Sequence, residues 1–433
     1  MNDSRPPAPG PRPAPGNPMV TPIPAGAAPE SPGGAPVAAI PDPYRLLFPL
    51  GIAYAIAGTL IWTLYAANLI AYPGPLHRAL MIEGFELSFV LGFLLTAMAA
   101  FTHGQRCTRA ELIAAFGAQA LFGALAFAGV LPAAHAVALL ALLLVARALL
   151  TRVHRAPAPP PEEFLFVAFG LLSGLIGVLL TLLESTGVNL GPPRFGIRLL
   201  SLGMVLSLVL GLGGLLVPTF TGMRDPLVIP GLAKAHERPP RRVLYLALIP
   251  LFAGAFTLEA LDRAAGGALL RAVAASVIGL LVWKLFRLPG RRDVPAFVMW
   301  SAGWMLLSGL WLAVLAPTHA LAGEHVVFVG GFGLITFGIA TRVVVSHGRH
   351  GLPAEPVVLA GPVVLALALA VLVRVIAEWA PANAIAPLWG VSGLLWTVAW
   401  GLWGAQAVPR IVRVVEVPVP AAGLVQVKPP PRA

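Results

Sequence analysis

An all-α bundle that crosses a lipid bilayer about twelve times, with both termini on the cytoplasmic side (N-in and C-in), is what this sequence predicts. Three observations carry the prediction. Hydrophobic residues make up 58% of the 433 and charged residues only 11%, with a mean hydropathy of +0.85, whereas soluble domains carry about 25% charged residues. Apolar runs recur along the chain, continuous rather than alternating, each able to cover ~30 Å of hydrocarbon at about 1.5 Å per residue. Basic residues are also divided unequally between successive loops. So few charges exclude an ordinary cytosolic enzyme, and the net charge of +11 is read as loop charge that fixes topology, not as a nucleic-acid footprint. The single cysteine, Cys107, excludes an internal disulfide and any CxxC site.

Residues 1–43 hold 14 prolines and too few bulky apolar residues to fold, so they are expected to form a disordered cytoplasmic Pro/Ala/Gly tail. They contain no apolar signal-peptide core, and the first span, near Leu46, is expected to act as an uncleaved anchor. The bundle occupies 44–407, with spans near 46–70, 84–102, 111–131, 133–151, 163–185, 196–219, 242–258, 268–287, 295–315, 325–346, 357–379 and 384–405. Only Pro132 and its neighbours part the third from the fourth, which implies a tight hairpin. Residues 408–433 form a second flexible cytoplasmic tail. With the N-terminus inside, inner segments carry twenty basic residues, among them Arg106, Arg152, Arg241, Arg291 and Arg349; outer loops carry Arg78, Arg194 and Arg263. The longest internal loop, about 220–241, divides the spans six and six and permits a duplicated architecture, although no sequence repeat is evident. Glycines in the fifth, sixth and tenth spans allow close helix packing, and tryptophans such as Trp62 and Trp379 suit the membrane interface.

Ionisable groups at membrane depth are costly and therefore candidates for function. Most lie at the outer ends of spans. Glu83 and Glu86 open the second, three residues apart on one helical face. Glu184 ends the fifth, Arg198 enters the sixth, Glu259 ends the seventh and Arg271 enters the eighth. Glu324 and His325 open the tenth, while Arg374 and Glu378 close the eleventh at a spacing that allows pairing. Together they would form a polar layer beneath the outer surface. On the inner side stand His103, Arg342, His347 and His350, of which Arg342 lies deep enough in its span to need a partner. His325 and His347 are 22 residues apart, about 33 Å along a helix, so they cannot share one metal. HExxH, Walker A and nucleophile-elbow sequences are absent, and a turnover enzyme is not expected.

The tenth span, His325-Val-Val-Phe-Val-Gly330-Gly-Phe-Gly333-Leu-Ile-Thr336 and on through Thr341-Arg342 to His347-Gly348, resembles the NnrS family of nitric-oxide-response membrane proteins. Gly92-Phe93-Leu94-Leu95-Thr96-Ala97, Leu183-Glu184, and Gly213-Gly214 followed by Val217-Pro218-Thr219-Phe220-Thr221 are similar to other stretches of that family. The resemblance runs over roughly 44–405. It implies a multi-pass protein of the bacterial inner membrane that binds haem and copper and aids the response to nitric oxide. Many members begin the second span with a His-x-His-Glu; here the stretch reads Met81-Ile82-Glu83-Gly84-Phe85-Glu86. Leu182 and Ser301 stand where histidines often occur in the fifth and ninth spans. His325 and His347 remain as cofactor ligands, and His325 with Glu83, Glu86 and Glu184 forms the expected outer metal site, with Arg198 as the alternative neutralising charge. Lipid and nitric oxide or another small ligand are the expected partners, with no nucleic acid. A reading from a different class is a secondary transporter or small-molecule carrier whose polar site lies among Glu83, Glu86, Glu184 and Arg198.

Overall fold

The computed structural model describes residues 41–102, 104–157, 159–223 and 241–413. The N-terminal tail through residue 40, His103, most of the long internal loop and the chain beyond 413 lie outside the described residues. Among the described residues every regular element is helical. Eleven unbroken helices are long and apolar enough to span: α1 (Tyr44–Ala66), α2 (Gly74–Thr102), α3 (Arg109–Phe127), α4 (Leu131–His154), α5 (Phe164–Ser185), α6 (Phe195–Phe220), α7 (Arg242–Ala260), α8 (Ala264–Val282), α9 (Val294–Leu315), α10 (Pro317–His347) and α12 (Ala382–Val412). Between the last two, Leu352–Val358 and α11 (Gly361–Ile376) pass the same test jointly, bent by 46°.

Local sequence sets several of these boundaries. Thr108 starts α3 through a capping box: its hydroxyl accepts from the Glu111 N–H, and the Glu111 carboxylate accepts from the Thr108 N–H at 2.8 Å, satisfying donors that the first turn leaves open. Asp293 caps α9 by accepting from the Ala296 N–H at 3.0 Å, with Pro295 in the first turn. The hairpin between α3 and α4 turns at Gly129, whose φ of +76° is a conformation that side chains with a Cβ resist.

Packing repeats by fours, where the loop lengths had permitted a division into two sixes. In α1–α4, α5–α8 and α9–α12 alike, the first helix packs on the second and the third on the fourth. The fourth helix of each set packs on the first of the next, and α12 returns to α1 to close the ring. The second helices are the inner ones: 67%, 89% and 72% of the apolar windows of α2, α6 and α10 are buried inside the protein, against 33–50% for the other unbroken spans.

The inner helices share a detailed register. Each widens into a π-helical segment, Ala79–Glu86, Leu199–Val205 or Val326–Phe332. Each segment ends two residues beyond a glycine (Gly84, Gly203, Gly330), and a second glycine follows eight residues on (Gly92, Gly211, Gly338). Seven residues before the first glycine stand His77, Gly196 and Gly323. A Cβ on Gly196 would lie 2.7 Å from the Gly177 carbonyl of α5, and one on Gly323 would lie 2.5 Å from the Gly309 carbonyl of α9. In α2 the corresponding residue, His77, meets the Gly58 carbonyl of α1 by a hydrogen bond of 2.6 Å.

This register corrects the expected span limits. The second and tenth spans begin ten and eight residues earlier than hydropathy placed them. Glu83, Glu86, Glu324 and His325 therefore lie within long helices, not at their mouths. The polar residues lowered local hydropathy, yet the helix continues through them because they face partners or a cavity inside the bundle.

Candidate functional site

A cavity of about 410 Å³ lies among the first turns of α2, α6, α10 and α12 and the last turns of α1 and α11. All three π segments of the inner helices contribute to its wall. Apolar rings, including Phe85, Phe328, Phe332 and Trp396, line it alongside charged residues from different helices. A π turn offsets the side chains beyond it and is frequent at functional sites. Here it separates Glu83 and Glu86, which the α-helical spacing had placed on one face.

Two histidines line this cavity, His77 from α2 and His325 from α10. His77 Nδ1 is 2.6 Å from the Gly58 carbonyl oxygen, and His325 Nδ1 is 2.8 Å from that of Leu321. A carbonyl can only accept, so each Nδ1 carries the proton and each Nε2 keeps its lone pair. Neither Nε2 has a hydrogen-bond partner among the described residues. Fixing one ring nitrogen on a carbonyl is how proteins commonly orient a ligating imidazole.

Charge around the cavity is mainly positive. Arg198 lies 3.5 Å from Glu324 and 3.3 Å from Glu259, and Glu259 is also paired with the buried Arg271 of α8. Arg374 donates to Glu378 at 2.5 Å, with its guanidinium 5.7 Å from the Trp389 ring. Arg78 and Arg194 line the cavity with no carboxylate in ion-pair range among the described residues. Glu86, also on the wall, has no hydrogen-bond partner among them.

The residues expected to form one outer metal site are divided. His325 and Glu86 share the cavity. Glu83 turns the other way, to His135 Nδ1 of α4 at 2.7 Å. Glu184 accepts from the Arg194 N–H at 3.1 Å beside a separate small recess. Arg198 is directed to Glu324 and Glu259. His347 stands at the far end of α10, its Nδ1 3.7 Å from Asp42 and its ring 5.9 Å from Tyr44. Burial pushes the Asp42 carboxyl up, but the nearby His347, with the charges of Arg45 and Arg106, outweighs it and holds the carboxyl below its usual range. His350 meets the Arg410 carbonyl at 3.0 Å. Arg342 pairs with Glu355 and lies 4.3 Å from the Phe220 ring.

His77 and His135 are the residues that sequence reasoning passed over. His77 sits four residues ahead of the stretch where the resemblance directed attention. The signal that locates it is the glycine spacing shared by α2, α6 and α10.

This fold, with its histidine-bearing cavity near one end of the bundle, defines a multi-pass helical membrane protein with an internal cavity. The chain belongs to the NnrS family, described as NnrS protein, which it matches over residues 38–414. No curated protein matches it.

Proposed function

We propose that this protein binds haem in the cavity, with His77 and His325 as iron ligands, and that it serves the response to nitric oxide in the bacterial inner membrane. The observation behind this reading is the pair of cavity imidazoles, each anchored through Nδ1 with Nε2 unpartnered. Haem iron accepts one or two such axial ligands. The aromatic wall suits a flat apolar macrocycle, and Arg78 and Arg194 suit its two carboxylates. Copper favours a closer set of imidazole or sulfur donors, and among the described residues no three His, Cys, Asp or Glu are grouped to hold a metal ion. When bound, haem iron would offer a site for a diatomic gas where one of the two histidines yields its place; the chain's own residues would orient the group, match its charge and exclude lipid. The excess of basic residues in loops on the termini side supports a cytoplasmic location for both termini, with the cavity toward the opposite side.

The test is the absorption spectrum of the full chain purified in detergent, with haem extracted and quantified. Wild type should show a Soret band at about one haem per chain. His325→Ala and His77→Ala should each lose or shift it, and His350→Ala should keep it. Haem-free wild type would overturn the reading. A carrier for a small anion would then account better for the unpaired Arg78 and Arg194.

A further inference from the structure

Arg194, the residue before α6, has a φ of +63°. This is the left-handed region, where a Cβ crowds the chain and glycine is the default. Of the non-glycine residues with such a φ among the described residues, Arg194 is the one that lines the cavity. Two hydrogen bonds hold it there. Its N–H donates to Glu184 Oε1 at 3.1 Å, across the loop from the last turn of α5. Its carbonyl accepts from the Arg198 N–H at 3.1 Å as α6 begins. Strain of this kind persists where the surroundings impose it, and it gathers at ligand sites. The charges on the wall show what the strained residue can do. Arg374 is matched by Glu378, and Arg198 and Arg271 by Glu259 and Glu324. Arg78 and Arg194 are left over. Glu86 stands eight residues past Arg78 on α2 and is in ion-pair range of neither. The two guanidiniums, one half-buried and one exposed at the rim, repel each other, and Glu184 attracts Arg78 only at a distance. An acidic group between them would relieve that repulsion and meet a donor fork on each side.

We infer that Glu184 is a positioning residue: it locks Arg194 at the rim of the cavity, where Arg194 and Arg78 clamp the carboxylates of an anionic, otherwise apolar occupant. The identity of that occupant rests on the haem reading; the clamp names what holds its acidic edge and what builds the holder. Glu184 itself touches no occupant. Its carboxylate is used on the Arg194 backbone, and the recess beside it, about 10 Å³, admits no more than a water. Glycine at position 194 would ease the backbone and lose the guanidinium, so the strain is kept for the side chain it delivers.

The test separates the clamp from iron ligation. Metal-free protoporphyrin, with two free carboxylates, and its dimethyl ester, with none, are titrated into the full-length protein in one detergent. Binding is read from quenching of tryptophan fluorescence, since Trp62, Trp389 and Trp396 line the cavity. Wild type should bind the diacid about ten- to a hundredfold more tightly than the diester. Arg194→Gly and Glu184→Ala should each cut that ratio about tenfold and leave the affinity for the diester unchanged. Glu184→Gln keeps an acceptor for the Arg194 N–H and should keep the wild-type ratio. Arg194→Gly should melt no lower than wild type, so its lost ratio cannot come from unfolding. Equal affinities for diacid and diester in wild type, or a Glu184→Ala variant that keeps the ratio, would overturn the inference even where haem shows a Soret band. A preserved ratio in a protein that gives no Soret band with haem would support the clamp and overturn the haem reading alone.

Discussion

Arg342 of α10 and Glu355, in the short helix before α11, form an ion pair at the bend that joins two spans. Glu355 is 1% exposed and also lies 3.2 Å from Arg291, which in turn pairs with Asp293 at the start of α9. Arg342→Leu should therefore cost about 3 kcal/mol, because it leaves a buried carboxylate with only its weaker partner. The change should appear as a lower melting temperature in detergent, recovered in part by Arg342→Leu combined with Glu355→Leu. Arg349→Leu, at an exposed turn, should melt with wild type. Equal tolerance of both single changes would refute the assignment.

The seam between α1 and α12 is set by glycine. A Cβ on Gly393 would lie 2.5 Å from the Thr59 carbonyl, a backbone atom that cannot swing aside, whereas one on Gly401 would meet nothing within 4 Å. Gly393→Ala should destabilise the protein by about 1–3 kcal/mol through overpacking. Gly401→Ala should be neutral or slightly stabilising, since alanine is the better helix former. Thermal melts of the two variants side by side decide it.

Cys107 is 8% exposed, just outside the membrane-spanning helices. Burial, reinforced by the nearby Glu111 carboxylate, pushes its thiol up to about 11. Since only the thiolate reacts, alkylation of the folded protein near pH 8 should run about a hundredfold slower than after denaturation in SDS. Mass spectrometry of iodoacetamide-treated samples measures this directly. Comparable rates would show that the thiol is not buried.

Reporter fusions test the proposed orientation. Fusions after Pro75, Leu190 and Ala320 should report the periplasm, and those after Pro230 and Leu352 the cytoplasm. Reversal at any two of these positions would invert the assignment of the cavity to the outer side.

The helical spans were legible because lipid imposes a coarse rule: long continuous apolar runs, broken at charge. That rule located the core of every span and the polar band near one end. It could not show that α2 and α10 begin well before their apolar runs, because His77, Glu83, Glu86 and Glu324 look like loop residues to any hydropathy measure. Nor could it show which way a carboxylate faces. Glu83 and Glu86 are neighbours in sequence, and a π turn sends one toward α4 and the other into the cavity. His325 was legible through a run of matching residues. His77 was not, because its role follows from a register shared with Gly196 and Gly323, where the corresponding residues are not histidines. His135 became visible only as the partner of Glu83.

The ring closes between α1 and α12. Thr59 of α1 lies 3.1 Å from the Thr397 hydroxyl, Thr63 donates to the Gly390 carbonyl at 2.9 Å, and Arg45 donates to the Ile411 carbonyl, all of them on α12. Until α12 docks, Thr63 lacks its acceptor on that helix, Thr59 keeps only the Ala55 and Ile56 carbonyls of its own, and the cavity lacks the wall that carries Trp389 and Trp396. His77 is likewise made long before His325, so no ligand can bridge the two until α10 is in place. Docking of α12, assembly of the barrier to lipid and closure of the cavity are thus one event, and a chain arrested before α12 leaves a membrane-embedded arc with nothing to hold it shut.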